Sequence, residues 1–129
     1  MTAVFMYNYN SDYHPAMPMV EISIGLPMTD TAIDVRGIVD SGADATIIPV
    51  RYLLEMGARL SRKAIMRGVA GGEALVDLYA ISIRLGPYRQ GFVEVVGDIS
   101  GDETIIGRDI LNHLSVVLNG LGTAVEVFE

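Results

Sequence analysis

The chain has 129 residues, half of them apolar, with a mean hydropathy of +0.38 and a formal net charge of −7. That length supports one domain around one modest core, and that composition excludes a disordered chain. The acidic balance argues against a nucleic-acid binder, which needs basic surface to neutralise phosphates, and the absence of cysteine excludes disulfides, thiolate metal sites and a thiol nucleophile.

Residues 1–18 stand apart in composition, with Met1, Met6 and Met17, Tyr7, Tyr9 and Tyr13, and Pro15 and Pro18. They read as an N-terminal arm, with one domain over residues 19–129. Such an arm is either a frayed terminus or a segment that packs on a partner subunit or is trimmed. It lacks a basic start, and Asn8, Asn10, Ser11 and Asp12 interrupt its apolar residues, so it does not read as a signal peptide. No stretch is long and apolar enough to span a bilayer. With no cysteine to protect, a cytoplasmic location is the expectation.

Val20 to Ile24 alternates apolar and polar residues, the period of a half-buried strand, and Pro27 to Thr31 reads as a turn. Ala32 to Val39 is a second strand with Asp34 and Arg36 facing outward. Ala45 to Ile48 is a short β-prone run. Pro49 and Gly57 then bracket a predicted short helix, Val50 to Met56, since proline suits the first helical turn and glycine the left-handed end. Arg51, Arg59, Arg62, Lys63 and Arg67 against Glu55 make this region basic. It reads as a solvated face; the other reading is a patch for acidic substrate segments.

Lys63 to Val69 and Glu73 to Leu85 are β-prone and flank Ala70-Gly71-Gly72, a hairpin signal. Gly86-Pro87-Tyr88 marks a turn, Gly91 to Val96 a strand, and Gly97 to Glu103 an acidic loop. Thr104 to Gly107 is a short buried strand, followed by a helical turn or two over Arg108 to Leu114. Ser115 to Leu118 and Thr123 to Phe128 flank a glycine-containing turn as a terminal hairpin. Many short strands, Gly-rich turns and no long helix predict a small β-barrel. His14 and His113 share no ligand spacing, and Met56 and Met66 read as core filler, so no metal and no cofactor is expected.

The chemistry lies in Gly37-Ile38-Val39-Asp40-Ser41-Gly42-Ala43-Asp44-Ala45-Thr46. A carboxylate at the end of an apolar strand is held rigidly, loses water from the apolar side and gains donors from the turn. The Ser41 hydroxyl can bond a neighbouring backbone and lock the loop. Gly42 admits close backbone approach and leaves its N–H to donate to the carboxylate. Downstream, Thr104-Ile105-Ile106-Gly107-Arg108-Asp109-Ile110-Leu111 repeats a weak echo: a β-branched pair, a sharp Gly turn, then a short helix.

With these two segments and the hairpin Gly68-Val69-Ala70-Gly71-Gly72 in this order, the chain from about Val20 to Phe128 resembles the retropepsin family, the homodimeric aspartic proteases of retroviruses and their cellular and bacterial relatives. The resemblance implies an all-β acid-protease barrel with one or two short helices and one lobe per chain. It implies that Asp40 is the catalytic aspartate, within Asp40-Ser41-Gly42, and that Ser41 grips its twin across a dimer axis. Ala43 and Asp44 would contact substrate, with Asp44 paired to Arg108. Val69, Ala70, Gly71 and Gly72 would form a flap over substrate, Ile106 would line a pocket beside the catalytic pair, and Gly107 and Arg108 would support the site.

Hydrolysis of a peptide by carboxyl chemistry needs two carboxyls, one as base toward water and one as acid toward the carbonyl oxygen. No other aspartate here precedes Ser-Gly or Thr-Gly: Asp98 precedes Ile99 and Asp102 precedes Glu103. The second carboxyl must come from a second copy, and a two-fold axis supplies it. The expected function is therefore an aspartic endopeptidase with a peptide or protein substrate, whose partner is itself, with no nucleic acid and no membrane. The alternative is a non-catalytic peptide-binding or dimerisation module on the same fold.

Overall fold

A computed structural model describes residues 4–67 and 71–129. Ten strands and two short helices follow in order: β1 (Val4–Asn8), β2 (Met19–Gly25), β3 (Ile33–Val39), β4 (Ile47–Pro49), α1 (Val50–Met56), β5 (Leu60–Arg67), β6 (Glu73–Leu85), β7 (Tyr88–Asp98), β8 (Thr104–Ile106), α2 (Arg108–Leu111), β9 (Ser115–Asn119) and β10 (Ala124–Phe128). The main sheet runs β2-β3-β8-β4-β7-β6-β5, and β2 also pairs with β6. That extra pairing closes a barrel of six strands, with β5 attached outside it. Closure removes the exposed edges that a short open sheet would present.

The core follows from the strand period. On β2, Val20, Ile22 and Ile24 are buried while Glu21 is exposed; on β3, Val35 and Gly37 are buried while Asp34 and Arg36 face solvent. Ile48, Leu53, Ile81, Ile83, Val95, Ile106 and Ile110 complete an almost wholly aliphatic interior. Helix α1 matches its predicted bounds. Pro49 stands just before it, and Gly57 ends it at φ +77°, with its N–H returning to the last helical turn. Met56 packs on the core at the helix end, as its filler role implies. No helix among the described residues is long and apolar enough to cross a membrane.

Two sequence readings meet a firmer outcome here. The echoing segments lie side by side: β3 and β8 pair in parallel, with Ile38 opposite Ile105 and Val39 opposite Ile106. The N-terminal arm is also more than a frayed end. Strand β1 pairs antiparallel with β10, which pairs with β9, and Tyr7 and Tyr9 pack against the core. Aromatic and β-branched residues at Val4, Phe5, Tyr7 and Tyr9 suit a strand, and β10 offers Val125 and Val127 as fully buried neighbours. Deleting residues 1–9 unpairs β10 and uncovers those valines. The expected result is a loss of about 2–3 kcal/mol, from partial exposure of a few large apolar groups, read in chemical denaturation.

β5 and β6 form a hairpin in register from Ala64↔Val76 to Arg67↔Glu73, and Gly71 lies beyond it at φ +84°. The basic stretch is largely answered from within the chain. Arg62 bonds Glu94 at 3.1 Å and Lys63 bonds Asp77 at 2.8 Å. Arg62 and the Ser61 hydroxyl hold the Glu94 carboxyl below its ordinary range, and the Asp77 carboxylate holds Lys63 above its own. These two are solvated pairs, and exposed pairs of this kind contribute little stability.

Candidate active site

β3 delivers Asp40 to the end of the barrel. The Asp40 N–H continues the ladder by donating to the Ile106 carbonyl at 3.1 Å, so the residue is fixed by the strand that precedes it and by β8 beside it. The chain then turns, with the Ala43 N–H donating to the Asp40 carbonyl at 3.2 Å. The Gly42 N–H donates to Asp40 Oδ1 at 2.9 Å, the role anticipated for it. A Cβ on Gly42 would stand 3.1 Å from that oxygen, so glycine gives the carboxylate room as well as a donor.

The turn is locked by α2 rather than by the Ser41 hydroxyl. Ser41 is exposed, and among the described residues its hydroxyl has no partner; its carbonyl instead accepts from Arg108 Nη1 at 2.7 Å. Arg108 Nη2 pairs with the Asp44 carboxylate, and the Arg108 N–H donates to the Ala43 carbonyl at 2.9 Å. One residue thus spans the turn from Ser41 to Asp44. The planar guanidinium suits this, because it offers divergent donors in a rigid fork.

Sequence reading missed the network beneath it. Thr46 is fully buried, and its hydroxyl donates to Asp109 Oδ1 at 2.8 Å and accepts from the Gly107 N–H at 3.2 Å. The Thr46 N–H donates to Asp109 Oδ2 at 3.0 Å, and the Ile110 N–H to Asp109 Oδ1 at 2.9 Å. Asp109 therefore ties the start of α2 to the strand leaving the Asp40 turn. The only sequence signal was an acid in the first turn of a helix, where unpaired N–H groups favour it.

The strand period also corrects one pocket residue. Ile106 is 0% exposed and packs in the core, its side chain where a Cβ on Gly37 would fall. It cannot line an open pocket in this chain; its contribution to the turn is its carbonyl. The residue on the other face is Ile105, half-buried, opposite Ile38 on β3 and Ile47 on β4. Ile38, Ile105 and Ile47 make a half-buried β-branched row beside Asp40. Next to Ile47 lies a groove of about 470 Å³ with Leu75, Val96 and Ile99 in its walls and the Lys63–Asp77 pair at its rim. Gly71 and Gly72 are exposed beyond the β5–β6 hairpin, while Val69 and Ala70 lie outside the described residues. Among the described residues, no His, Asp and Glu cluster could hold a metal ion.

Comparison with solved structures places this geometry among relatives. The chain is similar to a retropepsin-like aspartic protease from Rickettsia conorii, with TM-score 0.67 and 11% identity over 99% of this chain and 92% of that one. It is similar to EIAV protease complexed with the inhibitor HBY-793, with TM-score 0.53 and 22% identity over 83% and 93%. The retroviral protease-like domain of Ddi1 from Leishmania major gives TM-score 0.53 and 22% identity over 88% and 94%. At these identities the likeness establishes the fold. No curated protein matches by sequence. The family model for retroviral aspartyl protease matches residues 14–119, which contain the Asp40 turn, the β5–β6 hairpin and α2, and the chain belongs to that family.

Proposed function

We propose that the chain is an aspartic endopeptidase that acts as a homodimer, with Asp40 of each copy meeting at the two-fold axis. The observation that carries this reading is the single Asp40-Ser41-Gly42, on a turn rigidly held by Arg108 and the Gly42 N–H, with the exposed Ser41 hydroxyl unpartnered among the described residues. A second copy would give that hydroxyl a partner and Asp40 its twin. One carboxylate takes a proton from water, whose oxygen attacks the peptide carbonyl carbon, while the other carboxyl gives its proton to the carbonyl oxygen. Collapse of the tetrahedral adduct breaks the C–N bond, and the nitrogen leaves with a proton.

Substrate lies extended over Ile38, Ile105 and Ile47, and Asp44 meets its main chain beside Ala43. The β5–β6 hairpin, with Gly71 and Gly72 beyond its last pair, closes over it as a flap. The aliphatic row favours apolar side chains next to the cut bond. Because one chain holds half a site, specific activity should fall on dilution and track the dimer fraction measured by sedimentation at the same concentrations. Constant specific activity across dilution into a monomeric range would sink the shared site.

A further inference from the structure

Part of the N-terminal arm borders the outward face of β3 and β8. Arg36 and Ile38 lie on it, and Asp40 follows them in the same period of two. The N-terminal segment is anchored at two points at one end of this face, to β3 and to the loop before β8. The Asn8 carbonyl accepts from Arg36 Nη2 at 2.9 Å, and the Tyr13 hydroxyl donates to the carboxylate of Glu103, two residues before Ile105. Asn10, between these anchors, and Met17, after them, bridge each other through both backbone groups, at 2.8 and 3.0 Å. The Pro18 carbonyl then accepts from the Val39 N–H at 3.1 Å, immediately before Asp40. Glu103 holds the Tyr13 phenol above its ordinary range, as an acceptor of its proton should.

We propose that residues 8–17 are a wall of the substrate groove, and that Tyr13 is the positioning residue that holds this wall against the loop leading into Ile105. The inference rests on the peptidase reading for the groove, but the latch itself stands on contacts within one chain. Asn8 and Tyr13 both precede residue 14, where the family match begins. The strap of residues 8–17 joins segments 90 residues apart in sequence and crosses level with Arg36 and Glu103, two residues before the Ile38–Ile105 pair on the side away from Asp40. A peptide side chain seated on that pair would meet the strap as its neighbour.

The test uses full-length Tyr13→Phe, Glu103→Gln and Glu103→Leu. Hydrogen exchange is followed over residues 9–18 and 99–105, beside kinetics on a quenched-fluorescent peptide selected from a random library for cleavage by the wild type. Tyr13→Phe and Glu103→Leu should speed exchange in both segments and raise KM roughly three- to tenfold, the effect of one lost hydrogen bond, with kcat little changed. Glu103→Gln keeps an acceptor oxygen and should behave nearly as wild type. Unchanged exchange in Tyr13→Phe overturns the latch. Faster exchange with unchanged KM overturns the wall. A wild type that cuts no library peptide defeats the peptidase reading and the wall with it, while exchange still decides the latch.

Discussion

Asp40→Asn should lower peptide hydrolysis by at least about a thousandfold, within the range that acid–base groups contribute, and leave the dimer and its melting temperature nearly unchanged. The amide keeps the oxygen that accepts the Gly42 N–H at 2.9 Å, so the turn retains its internal bond. It cannot take a proton from water. Mixing makes the test sharper. If equal amounts of wild type and Asp40→Asn exchange subunits at random, about one quarter of the dimers carry two aspartates, and activity should fall to about a quarter of that of the same total of wild type. A fall to only one half would mean that each chain works alone. If the wild type binds peptides that neither protein cuts, the chain is a binding module on this fold.

Gly107→Ala should be severely damaging, because the added methyl group meets backbone. A Cβ at this position would stand 2.6 Å from the Ala45 carbonyl carbon, 2.7 Å from its oxygen and 2.9 Å from the Ala43 oxygen. These are backbone atoms of the turn that carries Asp40, so no side chain can swing away. The backbone at Gly107 is extended, at φ −94°, and any residue could adopt it; the requirement is for space alone. Relief must separate Gly107 from that turn. The movement would stretch the Gly107 N–H bond to Thr46 and loosen Arg108. Crowding of this kind costs upwards of about 3 kcal/mol, seen as a fall of about 10 °C or more in thermal unfolding. Activity should be lost even well below the melting temperature. A variant that melts within a degree or two of wild type and retains activity would show that the turn can give way.

Much of this was legible in residues with strong local rules. Pro49 and Gly57 bracketed α1, the alternation in Val20 to Ile24 and Ala32 to Val39 set the buried faces, and Gly42 announced its own donor. The illegible parts depend on which segments meet. A pair such as Ile105-Ile106 carries no alternation, so sequence could not say which member faces inward; the close approach of Gly37 settles that for Ile106. The Thr46–Asp109 bonds join positions 63 residues apart, and both residues are common in turns and helix starts. Tyr13 and Glu103 are more distant still. The arm looked separate because its methionines and prolines hide a five-residue strand whose partner is the last strand of the fold.

That partnership has a mechanical side. Val4 sits opposite Phe128, so polypeptide enters and leaves this unit at one corner. A short linker could join those points into a ring, or thread one copy directly into the next. Tension applied at the same two points would peel β1 from β10 bond by bond, as a zipper opens, instead of loading the whole row at once.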